Sequence, residues 1–162
     1  MEYNLVEMWL RRDPIRWVAG VLAGLLAGTL TLGFAGWVAQ QSGFEFFFPV
    51  KLMATTVLGP SATAFDAPIN SIYLGAGVFY ALAALLGFVF AHFTGVNSLY
   101  ALLPMGLVWG IFSWIFIWNL FLQSFRPIFA AQLSSGLVLP ICLVFGLSLA
   151  SVAFFDRVMR RN

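Results

Sequence analysis

The chain has 162 residues, of which 62% are hydrophobic and only 9% charged, and its mean hydropathy is +0.96. Eight basic and six acidic residues cannot cover a folded surface of this size, which excludes a disordered chain, a coiled coil, a disulfide scaffold and a water-soluble domain, and makes lipid the expected solvent. A net charge of +2 is too small for a nucleic-acid surface.

One domain, 1–162, is expected at this length. Residues 1–16 carry Leu5, Met8 and Trp9 at helical spacing, then Arg11, Arg12 and Arg16. They read as a cytoplasmic, interfacial N-terminus. Glu2 and Glu7 stand where a signal peptide would be basic, so the apolar run behind them reads as an uncleaved span.

Four runs reach the roughly 20 apolar residues that cross a bilayer: 17–39, 72–93, 99–122 and 133–155. Their centres hold no Asp, Glu, Lys or Arg. Ile115-Phe116-Ile117-Trp118 does not alternate apolar with polar, so helices rather than barrel strands satisfy the backbone. The expected fold is an all-α integral membrane protein, a bundle of four transmembrane helices.

The outer loop 40–70 holds Phe46-Phe47-Phe48-Pro49 and a short apolar piece, Val50 to Leu58, closed by Gly59-Pro60. That piece is too short to span and reads as an outer-side interfacial or re-entrant segment. Phe125-Arg126-Pro127 precedes a similar piece ending at Gly136. The two would make a parallel two-helix repeat, with a chance match as the alternative.

An even number of spans puts both termini on one side. Arg11, Arg12, Arg16, Arg157, Arg160 and Arg161 share it, with only Lys51 and Arg126 opposite. The excess of positive charge makes that side cytoplasmic, in a cell inner membrane, with 156–162 a basic cytoplasmic tail.

Small residues recur at four-residue steps in every span: Gly20, Gly24 and Gly28; Ala83, Gly87 and Ala91; Gly106 and Gly110; Gly146 and Ala150. Such steps let helix backbones approach in lipid. All lie toward the cytoplasmic half, whereas Phe112, Trp114, Phe116, Trp118 and Phe121 crowd the outer half of span three. The bundle should be pinched inside and splayed outside. Pro140 predicts a kink in span four that frees the carbonyl of Gly136.

Asn119, Gln123 and Arg126 share one face near the outer end of span three. Gln132 and Lys51, with Glu45 and Asp66, could meet them in a small outward polar pocket for a solute or anionic headgroup. An outer hydrogen-bond network tying loop to bundle is the alternative. His92, the only histidine, is either a haem ligand or a ring at the headgroup boundary. Cys142, the one cysteine, reads as a small buried hydrophobe. Trp109, Trp114 and Trp118 line either a quinone or lipid cleft or a lipid-facing surface.

No Ser–His–Asp set, paired intramembrane carboxylates or Cys/His cluster occurs in the sequence. The leading expectation is a non-enzymatic structural or accessory subunit of a membrane complex or homo-oligomer, without cofactor or metal. Its partners would be the bilayer, other membrane subunits or copies of itself. A small-solute transporter or channel, or a lipid-binding protein, is the alternative. A haem-binding electron-transfer subunit is a third.

Overall fold

A computed structural model describes residues 13–64, 68–115 and 135–161. Every regular element among them is helical. Three helices are long and apolar enough to cross a membrane: Pro14–Gln41, Asn70–Phe93 and Gly136–Arg161. Two apolar helices, Phe48–Leu58 and Leu99–Ser113, are shorter.

Helix α1, Pro14–Gln41, begins where the chain offers a cap: the Asp13 carboxylate accepts from the Arg16 amide at 3.3 Å, and Pro14 sits in the first turn, where a missing N–H costs nothing. The helix therefore starts before Arg16. That residue belongs to α1 rather than to a separate basic stretch, and it is buried.

Gly43, with φ +83°, turns the chain after α1. Helix α2, Phe48–Leu58, opens with Pro49 in its first turn and ends at Gly59, whose φ of +76° suits a residue without Cβ. A 3₁₀ turn, Pro60–Thr63, follows. Helix α2 lies along the start of α3, Asn70–Phe93, where Gly75 meets the carbonyl of Val50 and the amide of Ala54.

Helix α4, Leu99–Ser113, passes into a π turn at Trp114 and Ile115. The rest of the third apolar run, residues 116–122, lies outside the described residues. Helix α5, Ser135–Ser148, continues through Pro140 without interruption. It tightens to a 3₁₀ turn at Leu149–Ser151, after the Ser148 hydroxyl has donated to the Val144 carbonyl at 2.7 Å, a local bond that competes with regular helix. Helix α6, Val152–Arg161, carries the chain on, so Arg157, Arg160 and Arg161 are helical.

The packing inverts the order of a water-soluble core. On α1, Ala19, Ala23 and Ala27 are fully buried while Val18, Leu22, Leu26 and Leu30 are exposed. Small residues face inward so that backbones can meet, and large apolar ones face out.

Two antiparallel pairs result. In α1 against α3, Gly20 faces Gly87 and Ala91, Gly24 faces the Ala83 carbonyl, and Gly28 faces Ala83. In α4 against α5, Gly106 and Gly146 face each other's carbonyls, and Gly110 faces that of Cys142. Ala150 is buried in the same core. The pairs join because α1 also packs on α5 and α6; among the described residues α3 meets α4 through side chains such as Phe90 against Trp109.

A Cβ at Gly87 would stand 2.6 Å from the Gly24 Cα, and backbone cannot yield as a side chain can. Gly24→Leu and Gly87→Leu are therefore expected to lower the midpoint of thermal unfolding in detergent strongly. Gly33→Ala, which meets nothing within 4 Å, should hold or raise it, by up to about 1 kcal/mol in helix propensity. Equal midpoints for all three variants would contradict glycine-limited packing.

Candidate functional site

The described charges gather mainly at one end of the bundle, where α1 starts and α6 ends. Arg16 is 3% exposed and Asp156 is fully buried. The guanidinium of Arg16 donates to the carbonyls of Ala91 at 3.1 Å and Val96 at 2.9 Å, to the Thr94 hydroxyl and to the Asn97 side-chain carbonyl. It lies 3.7 Å from the Asp156 carboxylate.

Asn97 completes the link by donating its amide to Asp156 at 2.7 Å. Arg160, one turn after Asp156, donates to that carboxylate at 3.1 Å and reaches Asp13 on the far side. Arg157 donates to the Asn97 carbonyl at 2.8 Å.

The cap of α1, the 94–97 loop and α6 thus share one network. It is a structural clamp by its composition: the donors of Arg16 are turned to the chain's own carbonyls and carboxylate. Sequence reasoning counted these arginines as a marker of orientation and passed over Asp156 and Asn97. The available signals were Asp13 at a helix start and the i, i+4 spacing of Asp156 and Arg160.

Beside the clamp, the Trp17 indole N–H donates to His92 Nδ1 at 3.2 Å, and the imidazole stacks over Phe88. With Nδ1 accepting, the neutral ring carries its proton on Nε2. Haem ligation through Nε2 would require that proton to leave. Among the described residues, no three His, Cys, Asp or Glu side chains gather as metal ligands would.

At the opposite end, Lys51 is buried and its ammonium donates to Glu45 at 2.8 Å. It ties α2 to the turn before it. Asn119, Gln123, Arg126, Gln132 and Asp66 lie outside the described residues.

Between the two ends, in the half of the bundle away from the clamp, is a cavity of about 160 Å³. Leu32, Ala35 and Val38 of α1 form one wall, with Leu52 and Met53 of α2 above. Phe79, Leu82 and Leu86 of α3 face Ile141, Cys142 and Phe145 of α5 across it, and Ser113 closes the α4 side. It sits where the glycine contacts stop and larger side chains take over. No charged side chain is among the described residues lining it. A second, shallower apolar groove runs between α3 and α4, past Phe90, Phe93, Met105 and Trp109. Comparison of the chain with protein families, with characterised proteins and with solved structures finds no match.

Asp156→Leu removes the carboxylate that faces the buried Arg16 and is expected to destabilise the fold by about 3 kcal/mol. The double variant Arg16→Met with Asp156→Leu should recover a large part of that loss, because the pair is replaced by apolar volume. Thermal or denaturant unfolding in detergent reads both. A single-variant loss under about 1 kcal/mol would reduce the clamp to a surface ion pair.

Proposed function

We propose that the chain is a four-span integral protein of a cell inner membrane, with both termini cytoplasmic, acting as a non-enzymatic structural or accessory subunit of a membrane complex or homo-oligomer. The observation that carries this reading is the division of the surface. The lateral faces are apolar and exposed over Leu22, Leu26, Leu30, Leu85, Val108 and Phe112. The paired charges sit at the two ends and hold the chain's own elements together.

Three long apolar helices support three spans directly. The fourth span is α4 together with the apolar sequence that continues to Leu122. The 15 residues of α4 alone rise roughly 22 Å, short of a hydrocarbon core of about 30 Å. Helix α2, packed on α3 at the end away from the clamp, fits an outer interfacial or re-entrant piece. The resemblance between the glycine-paired units α1/α3 and α4/α5 keeps the two-helix repeat as part of the proposal. The excess of arginine beside the clamp supports its cytoplasmic orientation.

A lipid-binding role is the second reading, and the apolar cavity is what favours it. The transporter reading rests on Asn119, Gln123 and Arg126, and its remaining basic candidate, Lys51, is engaged with Glu45.

Two measurements test the proposal. Gentle detergent extraction from native membranes with mass analysis of the intact particle should find the chain with other subunits or as a homo-oligomer. A monomer alone would overturn the subunit role. Single cysteines introduced at Asn162 and at the exposed Gln41 in a Cys142→Ser background should be labelled from opposite faces of sealed vesicles. Labelling of both from one face would overturn the topology.

A further inference from the structure

The arginines at the clamp end are of two kinds. Among the described residues Arg16, Arg157, Arg160 and Arg161 share that end with two carboxylates, Asp13 and Asp156. Arg16 and Arg160 engage both carboxylates. No ion pair joins Arg157 or Arg161 to a described carboxylate.

Arg157 is nevertheless held in place. It donates one N–H to the Asn97 carbonyl at 2.8 Å, and Asn97 is itself fixed by Arg16 and Asp156. That acceptor is neutral, so the guanidinium is positioned while its charge stays uncompensated. Arginine has five N–H donors, and its planar fork offers two at once to a phosphate. An arginine that only marked orientation would need no such anchor.

The same face of α6 is otherwise apolar. Phe154, Arg157, Val158 and Arg161 stand at i, i+3, i+4 and i+7, along one side of the helix. All four are exposed, Phe154 by 65% and Val158 by 43%. Val152, Ala153 and Asp156 are buried on the other side. Val96 and Leu99, which bracket Asn97 in the chain, are exposed as well.

Two unbalanced cations interleaved with exposed carbon match an anionic amphiphile: phosphate on the arginines, hydrocarbon on Phe154 and Val158. An acidic protein would match the charge alone. The apolar residues favour lipid, because α6 ends a stretch, Gly136–Arg161, long and apolar enough to cross a membrane.

We propose that the exposed face of α6 binds an anionic phospholipid, its phosphate held by Arg157 and Arg161 and an acyl chain lying along Phe154 and Val158. The proposal rests on the membrane reading and adds a lipid class and a site to it.

The test is native mass analysis of the full chain in detergent, titrated with dioleoylphosphatidylglycerol or with dioleoylphosphatidylcholine, which has the same chains and no net charge. The native chain should retain the anionic lipid about 30-fold more tightly, roughly fivefold for each arginine at headgroup level. Arg157→Gln and Arg161→Gln should each lower that ratio about fivefold, and together they should bring it close to one. Phe154→Ser should weaken retention of both lipids and leave their ratio unchanged. On the native chain, independent of any variant, the ratio should fall as sodium chloride is raised.

An equal preference in the native chain and the double variant would place the lipid on other arginines and overturn the site. Unchanged retention in Phe154→Ser would do the same for the apolar half. Displacement by glycerophosphoglycerol, the headgroup without chains, would make this a site for soluble phosphates. An acidic protein that co-purifies through Arg157 and Arg161, with no lipid preference, would replace lipid by a protein partner. A melting curve for each variant separates loss of binding from loss of fold. Both lipids are compared in the same micelle, so a missing preference sinks this site and leaves the membrane reading standing; a chain that stays monodisperse without detergent would sink that reading too.

Discussion

Backbone touching backbone is the constraint on which this structure depends. Where Gly24 meets Gly87 and Gly106 meets Gly146, the space for a side chain is taken by the facing helix's own carbonyls and Cα atoms. In a bilayer, where lipid tails are as apolar as leucine, burying leucine would give two helices little reason to associate. Close approach instead multiplies weak dispersion contacts along the helix, and it needs residues with little or no side chain. The inward alanines and outward leucines of α1 follow from that requirement.

Close packing fixes each pair but leaves the relation between pairs to other contacts. The clamp contributes to that relation. Arg16 rises from α1 into the loop between α3 and α4 and faces Asp156, so one side chain binds both hairpins. Burying a charge in such a place is expensive unless its donors are met. Here the 94–97 loop supplies the acceptors, and Asn97 satisfies Arg16 and Asp156 at once through the two ends of its amide. The short 94–97 loop is therefore a polar socket.

Pairing by small residues at one level has a consequence at another. Beyond the glycine contacts α1 and α3 carry larger side chains, among them Leu32 and Phe79, and these line the cavity. Helix α2 lies over that space with Leu52 and Met53. The apolar cavity is thus a product of the same packing rule that makes the glycine contacts tight, and the bundle differs in character between its ends.

Much of this was legible in the sequence. Hydropathy, the absence of charges from the long runs and the four-residue spacing of Gly and Ala are local properties, and they determined the helical class, the order of the elements and the faces able to pack. Asp13-Pro14 and Gly59-Pro60 carried their boundaries in their own chemistry. Partner choice was not legible, because nothing local tells Gly106 that it will meet Gly146 rather than Gly24. Nor does any pattern separate Thr31 from Thr29: both are threonines in one apolar helix, yet one hydroxyl finds its backbone and the other is buried without a partner among residues more than a hundred positions away. The burial of Arg16 with Asp156 is of the same kind. The tertiary structure decided it, since a charge becomes a clamp or a surface marker according to which distant acceptors the folded chain brings within reach.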